Sequence, residues 1–389
     1  MRILIFFLAT IIVFDACKSK QKITPLPELS DADLFNKFRK SVVLISAKTY
    51  YKVSYGENGS ETLYFPAIDT EGYGTAYADE AQAKERSDIS YGTGFFINKE
   101  GMIATNLHVV ANCSEMISDI DFRDAITESL SNQRDDVIKF LSFNVDELKR
   151  LHPGDSSYVN QTVPERFRND PPLRYSYLRE EDDDTSMTGL HKKIDSLIRL
   201  NSQLENAAIS NFKIEIMVND INITLDASTG NKETYPCDIV TLSQSKKVDL
   251  AIIQTKSKSL PEGISNEIDL EENDLNKYGS TSIPWDTVKV TTPLYLIGYN
   301  YGPEIAKTSS GIKVQLTKGQ VTQESDELRV LYSIPALPGS SGSPVFNKQG
   351  KIVAVHYCGV IDGDNFNYGI LSSHLKKLLD TEPIRTLPW

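Results

Sequence analysis

Alternating apolar and polar positions predict β-strands over most of this chain. Residues 212–218 alternate without interruption, which is typical of a half-buried strand. Asn58 and Gly59 separate two further apolar runs and predict a hairpin. Other runs of strand length are bounded by Gly, Pro, Asn or Ser; they lie at 41–46, 91–97, 221–225, 237–242, 249–253, 288–297, 312–316, 328–334 and 351–356. The pattern therefore predicts an all-β core.

The strand pattern is interrupted at about 114–211, where apolar residues recur at helical intervals. These are Ile126, Leu130, Val137, Phe140, Leu141 and Leu148, followed by Ile194, Leu197, Ile198 and Leu204. We predict an inserted helical subdomain. It serves either as a lid or docking surface for a protein partner, or as packing against the sheets, and the pattern does not choose between them. Short helices are also predicted at 29–40 and 372–379.

The N-terminal residues have the features of an export signal. Arg2 precedes an apolar run at 3–14 that is too short to span a bilayer and is followed by Ala16 and Cys17. A small residue before a cysteine resembles a bacterial lipoprotein signal, in which Cys17 is lipidated; ordinary cleavage near Ala16 is the alternative. We expect a signal at 1–17, a tether and short helix at 18–40, and a cell-envelope or periplasmic location with membrane contact through the lipid alone.

Composition narrows the classes of function. The 389 residues are 40% hydrophobic and 24% charged, as in a globular protein with two lobes or two domains. A net charge of −12 makes nucleic acid an improbable partner. Besides Cys17 there are Cys113, Cys237 and Cys358, enough for at most one internal disulfide. Neither Cys-x-x-Cys nor His-Glu-x-x-His spacing occurs, so we predict no metal site and no cofactor.

Residues 337–346, which read LPGSSGSPVF, have the features of a nucleophile loop. A serine hydroxyl needs a base to take its proton and donors to hold the oxyanion that forms. Gly339, which lacks a Cβ, allows its own N–H and that of Ser341 to point at one spot. Ser341 is therefore the candidate nucleophile, and the amides of Gly339 and Ser341 are the candidate oxyanion hole.

Two further residues complete a candidate catalytic triad. His108 follows the apolar run at 91–97 and stands where a strand ends, which suits a general base. Asp249 heads a buried-looking strand and is suited to hold the imidazole in one tautomer. We predict that His108 takes the proton of Ser341 while Asp249 orients the imidazole.

Four ordered segments, at 92–97, 105–108, 249–251 and 339–344, resemble the chymotrypsin-like (trypsin-fold) bacterial serine peptidases. The resemblance implies two six-stranded antiparallel β-barrels: the first at 41–255, interrupted by the insertion, a linker at 256–282, and the second at 283–389. The last segment is similar to that of the glutamyl endopeptidases. The chain also resembles the catalytic half of HtrA-type proteases, since the residues after Ser341 are too few for a PDZ module.

The same resemblance implies which residues bind substrate. Ala336, before the nucleophile loop, and His356 are placed beside the pocket for the substrate side chain (P1) that precedes the cut. His356 matches the histidine with which glutamyl endopeptidases bind an acidic P1 side chain. Small or apolar P1 side chains are the alternative, because Ala336 stands where those enzymes offer a hydroxyl. Tyr357, Cys358 and Gly359 would pair with the substrate backbone.

Together these features predict an exported, trypsin-like serine endopeptidase that hydrolyses polypeptides through an acyl-enzyme. The alternative is a peptidase-fold binding or scaffolding module at the cell envelope with little or no turnover. An intact His108, Asp249 and Ser341 set argues against the alternative.

Overall fold

The computed structural model describes residues 27–67, 74–111, 120–151, 187–209, 213–230, 233–245, 247–264, 267–268, 270, 288–359 and 366–380. The predicted signal at 1–17 with its Cys17, the first part of the tether, and residues 271–282 of the predicted linker lie outside these ranges. Within the described residues no helix combines the length and apolarity needed to cross a bilayer.

The elements of the described chain are as follows. The strands are β1 (Val42–Tyr55), β2 (Glu61–Phe65), β3 (Asp88–Phe96), β4 (Met102–Thr105), β5 (Lys213–Leu225), β6 (Thr234–Leu242), β7 (Ala251–Thr255), β8 (Pro293–Gly298), β9 (Lys307–Thr308), β10 (Gly311–Ile312), β11 (Gln315–Gln320), β12 (Arg329–Tyr332), β13 (Pro344–Asn347), β14 (Ile352–Gly359) and β15 (Asn367–Leu371). The helices are α1 (Asp31–Phe38), α2 (Glu80–Glu85), α3 (Leu107–Ala111), α4 (Ile120–Leu151), α5 (Met187–Ile209), α6 (Pro303–Ala306) and α7 (Ser372–Leu379).

The first sheet closes into an antiparallel barrel, called barrel 1 below. Its strand order is β2-β1-β3-β4-β7-β6-β5, and β1 also pairs with β5, so β2 is an extra strand on the closed barrel. Val43, Ile45 and Ala47 of β1 alternate inward and are buried with residues of the other strands. Closure leaves few free strand edges, because each barrel strand is paired on both sides.

The second sheet, called barrel 2, contains six antiparallel strands in the order β11-β8-β13-β14-β15-β12. A bridge between Val321 and Tyr332 joins its two end strands. The hairpin of β9 and β10 forms a separate two-stranded sheet. The predicted all-β core with a chymotrypsin-like arrangement is confirmed. The hairpin predicted around Asn58 and Gly59 is present as the antiparallel pair of β1 and β2.

The helical insertion packs on a part of barrel 1 that extends beyond the closed sheet. β1 changes register between Lys48 and Thr49, and its second half pairs with β2 and with the start of β5. The apolar faces of α4 and α5 are buried against this extension, including Tyr51 and Tyr55. Gln133 of α4 bonds both backbone groups of Ala76, with Ala76 N donating to Oε1 at 2.6 Å and Nε2 donating to Ala76 O at 2.7 Å. The two helices of the insertion are thus held in place by apolar packing and by the buried amide of Gln133.

α1 precedes barrel 1 in the chain but packs on barrel 2. Ser30 caps the helix, since its side chain accepts a hydrogen bond from Asp33 N. The ring of Phe38 stacks on that of Phe346 with centroids 4.4 Å apart. Leu29 N donates to Lys348 O at 2.9 Å, in the turn that joins β13 and β14. The chain therefore enters the structure on one barrel and continues into the other.

Candidate active site

His108 lies just beyond the end of strand β4 of barrel 1. After β4 the chain passes through the buried Asn106 into the short helix α3. Leu107, Val109 and Val110 of α3 are buried in the barrel core, which turns His108 toward the surface with 32% of its side chain exposed. The apolar neighbours thus hold the helix while leaving the imidazole accessible.

Pairing of β4 with β7 brings Asp249 to His108. Thr105, the last residue of β4, is opposite Ala251, the first residue of β7, so the residues beyond them lie side by side. His108 Nδ1 and Asp249 Oδ2 are 2.5 Å apart, and His108 N donates to Asp249 Oδ1 at 3.0 Å. Asn106 Nδ2 donates to Asp249 O at 2.7 Å. The carboxylate therefore fixes both the backbone and the ring of His108.

The surroundings of His108 act on its pKa in opposite directions. Burial lowers the pKa of the imidazole, but the charge of Asp249 and its hydrogen bond raise it, and the net pKa lies above 6.5. With Nδ1 bonded to the carboxylate, Nε2 is the nitrogen that remains to exchange a proton.

The loop between β12 and β13 presents Ser341. Gly339 and Gly342 on either side have φ values of +92° and +88°, a region that residues with a Cβ rarely adopt. A Cβ on Gly339 would lie 2.4 Å from Gly302 N, so the chain has no room for a larger residue there. These two glycines shape the turn on which the serine stands.

The hydroxyl of Ser341 donates to Tyr357 O at 3.4 Å. Ser341 O accepts from Thr93 N at 2.7 Å, which seats the loop on β3 of barrel 1. Thr105 Oγ1 donates to Thr93 O at 2.8 Å, three positions before His108 in the chain. The structure thus brings His108 and Asp249 into direct contact, and it places Ser341 at the junction of the barrels with its hydroxyl on a barrel-2 carbonyl.

The two amides of the candidate oxyanion hole have no hydrogen-bond acceptor among the described residues. Among the hydrogen bonds of the described residues, neither Gly339 N nor Ser341 N donates to another protein group. The intervening Ser340 N does, to Leu337 O at 3.0 Å. Two unpaired N–H groups on alternate residues of one tight turn are the arrangement that a developing oxyanion requires.

Comparison with known proteins gives a match to one family model over part of the chain. Residues 208–355 match the family model described as a trypsin-like peptidase domain, and that stretch contains Asp249 and Ser341. The matched stretch is similar to the fold of a trypsin-like serine peptidase. His108 lies before the matched stretch.

Two solved structures similar to this chain have low sequence identity to it. The crystal structure of Deg5 has a TM-score of 0.39 and 14% identity, with 90% of this chain and 95% of that chain covered. The active form of the Rv3671c protease from M. tuberculosis has a TM-score of 0.42 and 11% identity, with 100% of this chain and 99% of that chain covered. No curated protein matches the sequence.

Within this trypsin-like fold, His356 lies inside barrel 2. The residue is 3% exposed, and its Nδ1 is 2.8 Å from the hydroxyl oxygen of Tyr332. Burial, together with the charge of His108, lowers the pKa of His356 to about 3, although a hydrogen bond to the backbone of Tyr368 opposes the shift. The imidazole is therefore neutral at ordinary pH and already has hydrogen-bond partners within the protein.

The remaining predicted substrate residues lie around the nucleophile loop. Ala336 is half-buried against the core of barrel 2. Tyr357 and Cys358 continue β14 beyond the end of its ladder with β13, and Gly359 at its end is exposed. The hydroxyl of Tyr357 accepts from Arg329 Nη1 at 3.4 Å. Residues 357–359 thus have one side that is not paired with β13.

Sequence reasoning missed several residues that hold this site together. Thr93 bonds the nucleophile loop, and Asn300 Oδ1 accepts from Leu337 N at 2.9 Å. Tyr301 N donates to Pro338 O at 2.6 Å. Thr93 lies inside one of the four matching segments, which places it near the site but does not reveal its contact with the loop, and nothing near Asn300 or Tyr301 in the chain signals such a contact.

Proposed function

We propose that this protein is a serine endopeptidase that hydrolyses polypeptides through an acyl-enzyme. The observation that carries the proposal is the double contact of Asp249 with His108, together with the unpaired amides of Gly339 and Ser341 in the nucleophile loop. The match to a trypsin-like peptidase domain supports a peptide hydrolase.

In the proposed mechanism, Ser341 Oγ attacks the carbonyl carbon of the scissile peptide bond. His108 Nε2 takes the hydroxyl proton as the new C–O bond forms, and Asp249 stabilises the imidazolium. The carbonyl oxygen becomes an oxyanion held by Gly339 N and Ser341 N. The imidazolium then gives its proton to the leaving amine as the C–N bond breaks, and water attacks the ester in the same way to release the acid and restore Ser341.

The free enzyme keeps the Ser341 hydroxyl on Tyr357 O rather than on His108. A rotation about the Cα–Cβ bond is sufficient to move a serine hydroxyl from one staggered position to another. Catalytic hydrogen bonds are often long or misaligned until substrate binds. In our proposal an incoming substrate backbone competes for Tyr357 O and releases the hydroxyl toward His108.

We propose that the substrate runs antiparallel along residues 357–359, where β14 continues past its ladder with β13. For the P1 side chain the buried and neutral state of His356 favours small or apolar groups over acidic ones. An acidic side chain would need a charged or donating partner, and the imidazole already bonds Tyr332.

Labelling with a fluorophosphonate probe tests the proposal directly. The wild-type protein should be labelled, and Ser341→Ala and His108→Ala should not. His374→Ala is the matched control for the loss of an imidazole, since His374 is on α7 and bonds Glu327 O instead of the site. Absence of Ser341-dependent labelling in the folded wild type would refute the peptidase proposal. It would favour the alternative, a binding module whose helical insertion docks a partner.

We also propose that the protein is exported and lipid-anchored at Cys17, which rests on the sequence of residues 1–17. Metabolic labelling with a radioactive fatty acid should mark the wild type and not Cys17→Ala. If both proteins are unlabelled but processed to the same mature length, ordinary cleavage near Ala16 replaces the lipid anchor.

A further inference from the structure

The amides of the candidate oxyanion hole belong to peptide units whose carbonyls are anchored. In a planar trans peptide the N–H points opposite to the C=O, so holding one fixes the direction of the other. Pro338 O, in the same unit as Gly339 N, accepts from Tyr301 N at 2.6 Å. Ser340 O, in the same unit as Ser341 N, accepts from Ser343 N at 3.0 Å and from Ser343 Oγ at 2.5 Å.

The peptide unit between them is anchored to barrel 1. Gly339 O accepts from Thr93 Oγ1 at 2.9 Å, and Thr93 Oγ1 in turn accepts from Tyr299 N at 3.0 Å. A hydroxyl that accepts from a backbone N–H has its single proton left for another partner, here Gly339 O. Because Thr93 N also donates to Ser341 O at 2.7 Å, one residue of β3 holds both ends of the three-residue turn.

Both anchoring hydroxyls are enclosed. Thr93 and Ser343 are each 0% exposed, so bulk water does not compete for their hydrogen bonds. Gly298 leaves the room that they occupy, because a Cβ there would lie 1.9 Å from Ser343 Oγ and 3.3 Å from Thr93 Oγ1. The glycine at the end of β8 thus admits the two hydroxyls behind the nucleophile loop.

We propose that Thr93 and Ser343 are positioning residues that set the Gly339 and Ser341 amides before substrate arrives. This inference rests on the proposed peptidase function and names the side chains on which its oxyanion hole depends. Neither hydroxyl touches the reacting atoms. Ser343 holds the peptide unit that contains Ser341 N. Thr93 holds the unit between the two donors, which contains Ser340 N, and so fixes the donors through the shape of the turn. Donors that are already aimed stabilise the charge that forms in the transition state, so their loss lowers kcat more than it raises KM.

The substitution Thr93→Val tests this, since it removes the hydroxyl and keeps the shape of the side chain. With a fluorogenic peptide chosen from a cleavage library, we expect kcat to fall about 10- to 100-fold while KM changes less than about twofold, somewhat below the full loss of an oxyanion donor. Thr93→Ser, which keeps the hydroxyl, should restore most of the rate. The inflection of the pH–rate profile should not move, because the contact of His108 with Asp249 is unchanged.

Thr255→Val is the matched control. Thr255 is a buried threonine of the same barrel, and its hydroxyl donates to Ser259 O at 2.9 Å at the end of β7. It should lower the unfolding temperature as Thr93→Val does but leave kcat unchanged. If the two variants lose kcat equally, or if Thr93→Val keeps the wild-type kcat, the positioning role is wrong.

Ser343→Ala provides a second test if Thr93→Val does not fold. It removes one of the two hydrogen bonds to Ser340 O and should also lower kcat at nearly constant KM, whereas a wild-type kcat would overturn the proposal for this residue. Failure of the proposed function has a different signature, because then the wild type itself shows no Ser341-dependent fluorophosphonate labelling.

Discussion

The buried imidazole of His356 should make the stability of the protein depend on pH in a defined window. The pKa of His356 is about 3 in the folded protein, against an ordinary value of 6.5. Between these values the unfolded chain binds a proton that the folded imidazole does not, so the free energy of unfolding falls as the pH is lowered. Above 6.5 both states are neutral and this contribution is fully present.

The size of the effect follows from the two pKa values. Between pH 7 and pH 5 there are roughly one and a half pH units in which the unfolded imidazole is protonated and the folded imidazole stays neutral. At about 1.4 kcal/mol for each unit, the His356 contribution to this loss is about 2 kcal/mol. Because the residue is 3% exposed, solvent screening does not reduce the effect appreciably.

The perturbation that isolates this contribution is His356→Asn. The shorter amide reaches the position of Nδ1 and offers the hydroxyl of Tyr332 an uncharged partner. Urea unfolding followed by circular dichroism at pH 5, 6 and 7 should show that the wild type loses about 2 kcal/mol more than the variant over that range. Other titrating groups cancel in the difference, since they are common to both proteins.

Equal pH dependence in the two proteins would refute the reasoning. It would mean that the imidazole titrates near 6.5 in the folded state and is available to charge. In that case an acidic P1 side chain regains its predicted partner, and a cleavage library should show preference for Glu or Asp. With the expected result, the library should instead favour small or apolar residues at P1.

Three further predictions concern the triad, the loop and the insertion. Asp249→Asn should lower kcat about 10⁴-fold. In the wild type, activity is lost as falling pH protonates His108, so the pH profile of kcat/KM has an inflection above 6.5. Without the carboxylate this inflection should move to lower pH. Gly342→Ala should lower thermal stability more than Gly230→Ala. Both glycines have positive φ, but a Cβ on Gly342 would lie 2.0 Å from a β3 carbonyl oxygen, whereas a Cβ on Gly230 would lie in open space. Gln133→Ala should destabilise the protein by about 2 kcal/mol in urea unfolding, by leaving a buried amide and carbonyl unpaired; no change would show that the hairpin does not need this contact.

Much of the fold could be predicted because its signals are local. The β-pattern, the cap at Ser30 and the helix at Ser372–Leu379 each depend on a few consecutive residues. The contact of His108 with Asp249 was also predicted, since each residue adjoins a strongly apolar strand. In the structure the pairing of β4 with β7 brings the two residues together. Resemblance to a known family then supplied the order in which such segments combine.

What could not be predicted depends on contacts between residues that are distant in the chain. Thr93 and Gly339 are 246 positions apart, and neither neighbourhood signals the hydrogen bond between them. The run of apolar residues before His356 was a sign of burial, but its partner Tyr332 belongs to another strand. The extension of β1 that carries the helical hairpin was likewise invisible, because the strand pattern does not reveal where a barrel closes.

The position of α1 determines where the protein can be shortened. The helix covers Phe346 and the β13–β14 turn of barrel 2, and Arg39 just after it donates to the buried Asp226 of barrel 1 at 2.9 Å. An expressed fragment that starts at the first strand would uncover an aromatic face and leave a carboxylate without its cation. Residues 27–40 therefore belong with the two barrels in any trimmed version of the protein, and a protease that removes them would loosen both halves at once.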